Sequence, residues 1–153
     1  MTIPHVEEYV ATDSTEVDAE LLSVLEYRDP QSLERLEAKV QSQPGWPDVR
    51  LHLARRLVIL GRYEEALHHL EEALAVNPQF IEALRLKVRV LTDRGELRVA
   101  LKTCRRLNSF NRDDSEAFLT EGILYARLGE HGNAIGSARN ALEIDRNNVE
   151  AHI

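Results

Sequence analysis

The chain has one cysteine, Cys104, and so cannot hold an internal disulfide framework; that fits a reducing compartment and makes the cytoplasm the expected location. No apolar run approaches the roughly 18 residues that a membrane-spanning helix needs. The opening residues, MTIPHVEEYV, lack the basic start and apolar core of a secretory signal. Strict alternation of apolar and polar residues is missing, so no strand is predicted, and no glycine-rich phosphate loop follows one. A basic surplus is missing too. Residues 1–45 carry ten acids against three bases and account for the whole net charge of −7, while the remainder is balanced. An acidic front half argues against nucleic-acid binding, which needs a basic surface.

Groups with catalytic or metal-binding spacing are equally scarce. His68 and His69 are adjacent, about 100° apart on a helix, and cannot share one metal from that helix. His52, His131 and His152 are scattered. The carboxylate pairs Glu64-Glu65 and Glu71-Glu72 read as solvated helix faces. No enzyme, metal or cofactor is predicted.

What is present is a repeated unit. From Asp48 to Leu60 the apolar residues Val49, Leu53, Ala54, Leu57 and Val58 make one helical stripe. Gly61 ends that helix, because glycine takes a left-handed backbone at little cost. A second stripe runs from Tyr63 to Val76 through Ala66, Leu67, Leu70, Ala73 and Leu74, and Asn77-Pro78 stops it. Two helices joined by so short a turn lie back to back and leave apolar surface for a neighbour. The neighbours follow at a period of 34: Gly61, Gly95 and Gly129; Ala66, Ala100 and Ala134; Asn77, Asn111 and Asp145. A fixed period of that length means stacked helix pairs. Cys104 takes the inward place that Leu70 and Ala138 hold, so it reads as a packing residue.

These columns resemble the tetratricopeptide repeat family. Its small residue late in the first helix matches Ala54, Val88 and Gly122, its large residue Leu57, Leu91 and Tyr125, and its two alanines of the second helix Ala66, Ala100, Ala134 and Ala73, Leu107, Ala141. The family's closing proline survives only as Pro78, with Arg112 and Arg146 in the later units; its usual leucine in the first helix is Leu53, then Lys87, then Glu121. The resemblance implies an all-α fold, a right-handed α-solenoid of antiparallel helix pairs. Three repeats are predicted at 47–80, 81–114 and 115–148, and residues 149–153 read as the start of a truncated fourth. Residues 1–12 read as a flexible arm. Residues 13–46 read as a degenerate helical pair in phase with the repeats, through Pro44, that caps the stack. Trp46 is expected to pack over the seam between the first two units, and Lys87 to pair with Glu121 across successive first helices.

In this family the first helices line a concave groove. Carried onto this sequence, the groove residues are Leu51, Arg55 and Val58, then Arg85, Arg89 and Thr92, then Leu119 and Ile123. The resemblance implies a non-catalytic interaction module that holds a peptide or helix of a partner protein, acidic or apolar, in that groove. The competing account of the arginines is pairing with Glu82, Glu116 or the acidic N-terminal arm, whose Glu7 or Glu8 would reach Arg55 or Arg89. The lysine and asparagine clamp of chaperone-tail-binding members is absent, since its places hold Leu51, Arg55, Leu86, Glu116 and Thr120. Alternatives are a small export chaperone, a scaffold self-associating through an uncapped C-terminal end, and a regulatory N-terminal region of a larger protein.

Overall fold

The structure, a computed structural model, describes residues 30–151. Among them are seven helices and no strand: α1 (Pro30–Ser42), α2 (Pro47–Ile59), α3 (Tyr63–Val76), α4 (Ile81–Asp93), α5 (Leu97–Phe110), α6 (Ser115–Arg127) and α7 (His131–Ala151). The boundaries repeat as the residues do. The helices that open each pair begin at Pro47, Ile81 and Ser115 and end at Ile59, Asp93 and Arg127, in steps of 34. Ser42 closes α1 in phase with Val76 and Phe110. Each helix packs on the next, and α2 also touches α4, so the pairs stack into an all-α solenoid. No helix of the described residues is long and apolar enough to cross a membrane.

The turn inside each pair is the same structure built three times. Gly61, Gly95 and Gly129 sit at φ of 75°, 78° and 80°, where a Cβ would be strained. The glycine N–H bonds to the carbonyl of Val58, Thr92 or Ala126 at 3.0 Å, and the next N–H, from Arg62, Glu96 or Glu130, reaches Leu57, Leu91 or Tyr125 at 2.9 Å. This pair of bonds satisfies the last carbonyls of the helix and reverses the chain in two residues.

Small residues then let the paired helices approach. Ala54, Ala66 and Ala100 have no exposed surface, and a Cβ built on Gly122 would stand 3.2 Å from the Ala134 backbone oxygen. Larger side chains fill the seams between pairs: Leu53, Leu57, Leu70, Leu84 and Leu124 are fully buried. One apolar cluster runs from Val40 of α1 to Ala117 of α6, a second gathers Val88, Leu91, Ala100, Cys104 and Leu124, and Leu67 packs against both.

Four expectations need correction or fall elsewhere. Trp46 is 59 % exposed and does not cover a seam; it flanks the α2 N-terminus, while Val40 and Val49 occupy the core there. Lys87 and Glu121 do not pair. Each turns to the second helix of the preceding repeat, Lys87 Nζ to Glu71 at 3.5 Å and Glu121 to the Asn108 amide, because that helix is nearer than the next first helix. Residues 149–151 do not open a fourth unit. They continue α7, which lacks a stop at Arg146, where Pro78 stands in the first repeat. Arg112 also replaces that proline, yet α5 ends on time: Asp114 caps α6 by accepting the Ala117 N–H at 3.1 Å, and Asn111 leans on the same carboxylate. The readings for residues 1–12 and 13–29 lie outside the described residues.

The two kinds of helical glycine make opposite predictions. A Cβ on Gly136 meets nothing within 4 Å, so Gly136→Ala is expected to raise unfolding free energy by about 1 kcal/mol. Gly122→Ala forces α6 and α7 apart and is expected to lower it. Urea unfolding of both variants checks this; equal stabilisation would contradict the close crossing at Gly122.

Candidate functional site

The first helices α4 and α6 run side by side and leave a groove of about 410 Å³ between them, floored by Cys104 and Leu107 of α5. Four of the predicted site residues meet there: Arg85, Arg89 and Thr92 from α4, and Ile123 from α6. Leu119 lies one concavity further on, between α6 and α7. Arg55 and Val58 are half-buried on α2 and do not line this groove. Leu51 belongs to the core, at 3 % exposure in the same cluster as Val40, so its assignment to the groove surface is corrected. Leu51, Arg85 and Leu119 are the same repeat position, and the backbone phase alone could not reveal that the first of them is covered.

The two arginines of the groove differ. Arg85 is committed: its guanidinium pairs with Asp114, the residue that caps α6, and lies 3.9 Å from Glu116. Arg89 is exposed and has no ion pair among the described residues. Beside it stand Val88 and the half-exposed Ile123, an apolar wall. Thr92 and Thr120 each donate their hydroxyl to the carbonyl one turn back, Val88 at 2.7 Å and Glu116 at 2.9 Å, which leaves their oxygens as acceptors facing outward chemistry only weakly. The groove thus offers one arginine, Arg89, with no ion pair among the described residues, an apolar wall and a hydroxyl rim. The Arg85–Asp114 link was missed from sequence, where Glu82, Glu116 and the N-terminal arm were the partners considered; the partner lies 29 residues on, at the start of α6.

Two further titratable groups, Cys104 and His69, are shifted toward their neutral forms. Burial, with help from Glu121 and Asp114, pushes the Cys104 thiol up to about 12, and its S–H bonds to the Ala117 carbonyl at 3.3 Å. A thiol that stays protonated is a packing group and not a nucleophile. His69 is pushed below the usual histidine value, by burial first and then by the Arg50 guanidinium, whose Nη1 lies 3.2 Å from its Nδ1. No group of three metal-binding side chains occurs among the described residues. A broader depression of about 500 Å³ lies between α5 and α7; it gathers Arg105 and Arg112 with Glu121 and Glu143, so no single charge selects a ligand.

Comparison with known proteins bears on the fold. Residues 57–120, from the end of α2 into α6, match the family model described as tetratricopeptide repeat. DnaJ homolog subfamily C member 3 of Rattus norvegicus is 30 % identical over 84 residues, which is 55 % of this chain but 17 % of that protein, so the chain spans a small part of that relative's length. A crystal structure of MamA superimposes with a TM-score of 0.75 over 78 % of this chain and 70 % of that one, at 19 % identity. MamA from Desulfovibrio magneticus RS-1 gives 0.69 over 76 % and 66 %, at 20 % identity. At such identities the likeness shows the fold alone.

Two measurements check these shifts. Cys104 in the folded protein is expected to resist alkylation at neutral pH and to react only on unfolding, as mass spectrometry would read. For His69 the sign is destabilising in acid. Above about pH 6.5, the ordinary histidine value, both folded and unfolded forms are neutral. Below it the unfolded chain takes up a proton that the folded chain resists, and stability falls until pH drops through the lowered folded value. His69→Gln is expected to lose less thermal stability than the parent between pH 7.5 and pH 5.5; an unchanged loss would remove His69 from the cause.

Proposed function

We propose that this tetratricopeptide-repeat chain is a non-catalytic protein-binding module that holds a short segment of a partner in the groove between α4 and α6. The repeats are taken as 47–80, 81–114 and 115–148. The observation that carries the reading is Arg89, an exposed guanidinium without an ion pair among the described residues, set beside the apolar wall of Val88 and Ile123. A free arginine recognises a carboxylate through charge-assisted hydrogen bonds, and the wall takes an apolar side chain one helical turn or two extended residues away. The partner segment is therefore apolar and acidic, entering as a helix or an extended strand. Arg55, Val58 and Leu119 flank the groove along the same face and extend the contact to a longer segment. Groove binding of one short segment buries little surface, so affinities in the micromolar range fit a reversible contact.

The test is fluorescence anisotropy with labelled peptides that pair leucine with glutamate at helical and at extended spacings, against scrambled peptides in which glutamate is replaced by lysine. Acidic-apolar peptides are expected to bind, and Arg89→Glu to weaken them by about tenfold or more, which is about 1.4 kcal/mol. Ile123→Asp is expected to act likewise without loss of helical content, because Ile123 is already half exposed. Binding that survives both substitutions, or equal binding of the lysine peptides, would overturn this reading.

A further inference from the structure

The last helix carries a second surface, separate from the groove. In α7 the residues that meet α6 are small: Ala134, Ala138 and the buried Ser137 and Ala141. The large apolar residues look elsewhere. Ile135, Leu142 and Val149 are 54 %, 69 % and 62 % exposed, and they follow one another at seven-residue intervals. Seven residues is just under two helical turns, so the three lie along one line of the helix with a drift of about 20° per step. The stripe is about 21 Å long at the helical rise per residue. It is continuous with Leu119 of α6, which shares with Ala138 and Leu142 a depression of about 370 Å³. The run-on of α7 past the repeat length is what brings Val149 onto the line.

We propose that a second copy of this chain covers the stripe, with the two α7 helices antiparallel about a two-fold axis at Leu142. The pattern is symmetric about that residue. Ile135 and Val149, both β-branched, stand seven places to either side. Arg139 and Asp145 stand three places to either side, carry opposite charge, and have no ion pair among the described residues. An antiparallel two-fold therefore sets Leu142 on its own copy, Ile135 on Val149 twice, and Arg139 level with Asp145 twice. Self-complementarity of this kind is what an isologous contact requires, and an unrelated ligand would have no use for it. The seven-residue spacing is also that of helices packed along their length. The two surfaces meet at Leu119; Ile135, Leu142 and Val149 lie outside the groove of α4 and α6, and Arg89 and Ile123 lie outside the stripe, so substitutions at those residues test the two readings separately.

Sedimentation velocity on the full chain, from micromolar to millimolar concentration, is expected to show a monomer–dimer equilibrium. Leu142→Glu is expected to raise its dissociation constant by about tenfold or more, with unchanged circular dichroism because Leu142 is exposed. Orientation is read by oxidative cross-linking with the buried Cys104 left in place: Leu142→Cys links to itself, whereas Ile135→Cys links only when mixed with Val149→Cys. A chain that stays monomeric throughout, a dimer indifferent to Leu142→Glu, or self-linking of Ile135→Cys would each overturn the proposal.

Discussion

The structure depends on one constraint: a hairpin of two short helices has more apolar surface than it can hide within itself. Isolated helices of 13 or 14 residues are marginal in water, so each must lean on another. The left-handed glycine at 61, 95 and 129 makes the reversal, and the small residues at 54, 66, 100 and 122 let the two helices close on each other. What remains uncovered on each pair matches what remains uncovered on the next, since the sequence repeats. Stacking is then a consequence of equal spacing, and no single long-range contact dictates it. The pairs share the work of burial, with Leu67 packed against both halves of the core.

Where the residues repeat, they build the stack; where they depart from the repeat, they give each unit its own surface. Leu51, Arg85 and Leu119 occupy one place in three successive units, and their exposure climbs from buried through partial to half exposed. The equivalent places of Arg89 hold Arg55 and Ile123. A groove formed from identical units would bind a repetitive ligand. The groove between α4 and α6 changes character across its width, from charged at α4 to apolar at α6, which would suit a segment with an acid and an apolar anchor at defined spacing.

The boundaries of α2 and α3 were legible to within about a residue, because glycine, proline and the apolar stripes fix them by local chemistry. The predicted Tyr63–Val76 helix is the observed one, and Asp48–Leu60 differs by a single step at each end. Partners across units were not legible. The exchange of leucine for Lys87 and Glu121 announced a polar contact, but which helix supplied Glu71 and Asn108 depends on how far apart neighbouring pairs sit, which the period does not encode. The missing proline at Arg146 was read only as a departure from the family pattern. Physically it removes the one obligatory stop, and no capping carboxylate like Asp114 ends α7 there, so the helix runs on to Ala151. Trp46 failed for a related reason: size predicts burial on average, whereas a residue beside a helix start between two prolines has its position set by backbone geometry.

The division between Arg85 and Arg89 decides how the groove can work. Asp114 serves three groups at once: the Ala117 N–H at the start of α6, the Asn111 amide and the Arg85 guanidinium. A helix cap of that type contributes about 0.5–2 kcal/mol, and the partly exposed ion pair adds at most about 1 kcal/mol. A ligand carboxylate that drew Arg85 away would gain one charged contact and weaken the turn that holds the third pair in place. Arg89 carries no such debt, since none of the described residues competes for it. The proposed recognition through Arg89 would therefore leave the stack intact, while Arg85 keeps the wall of the groove in register. The arginine that looks interchangeable in the sequence is a fixed strut, and its neighbour one turn along the helix has no ion pair among the described residues.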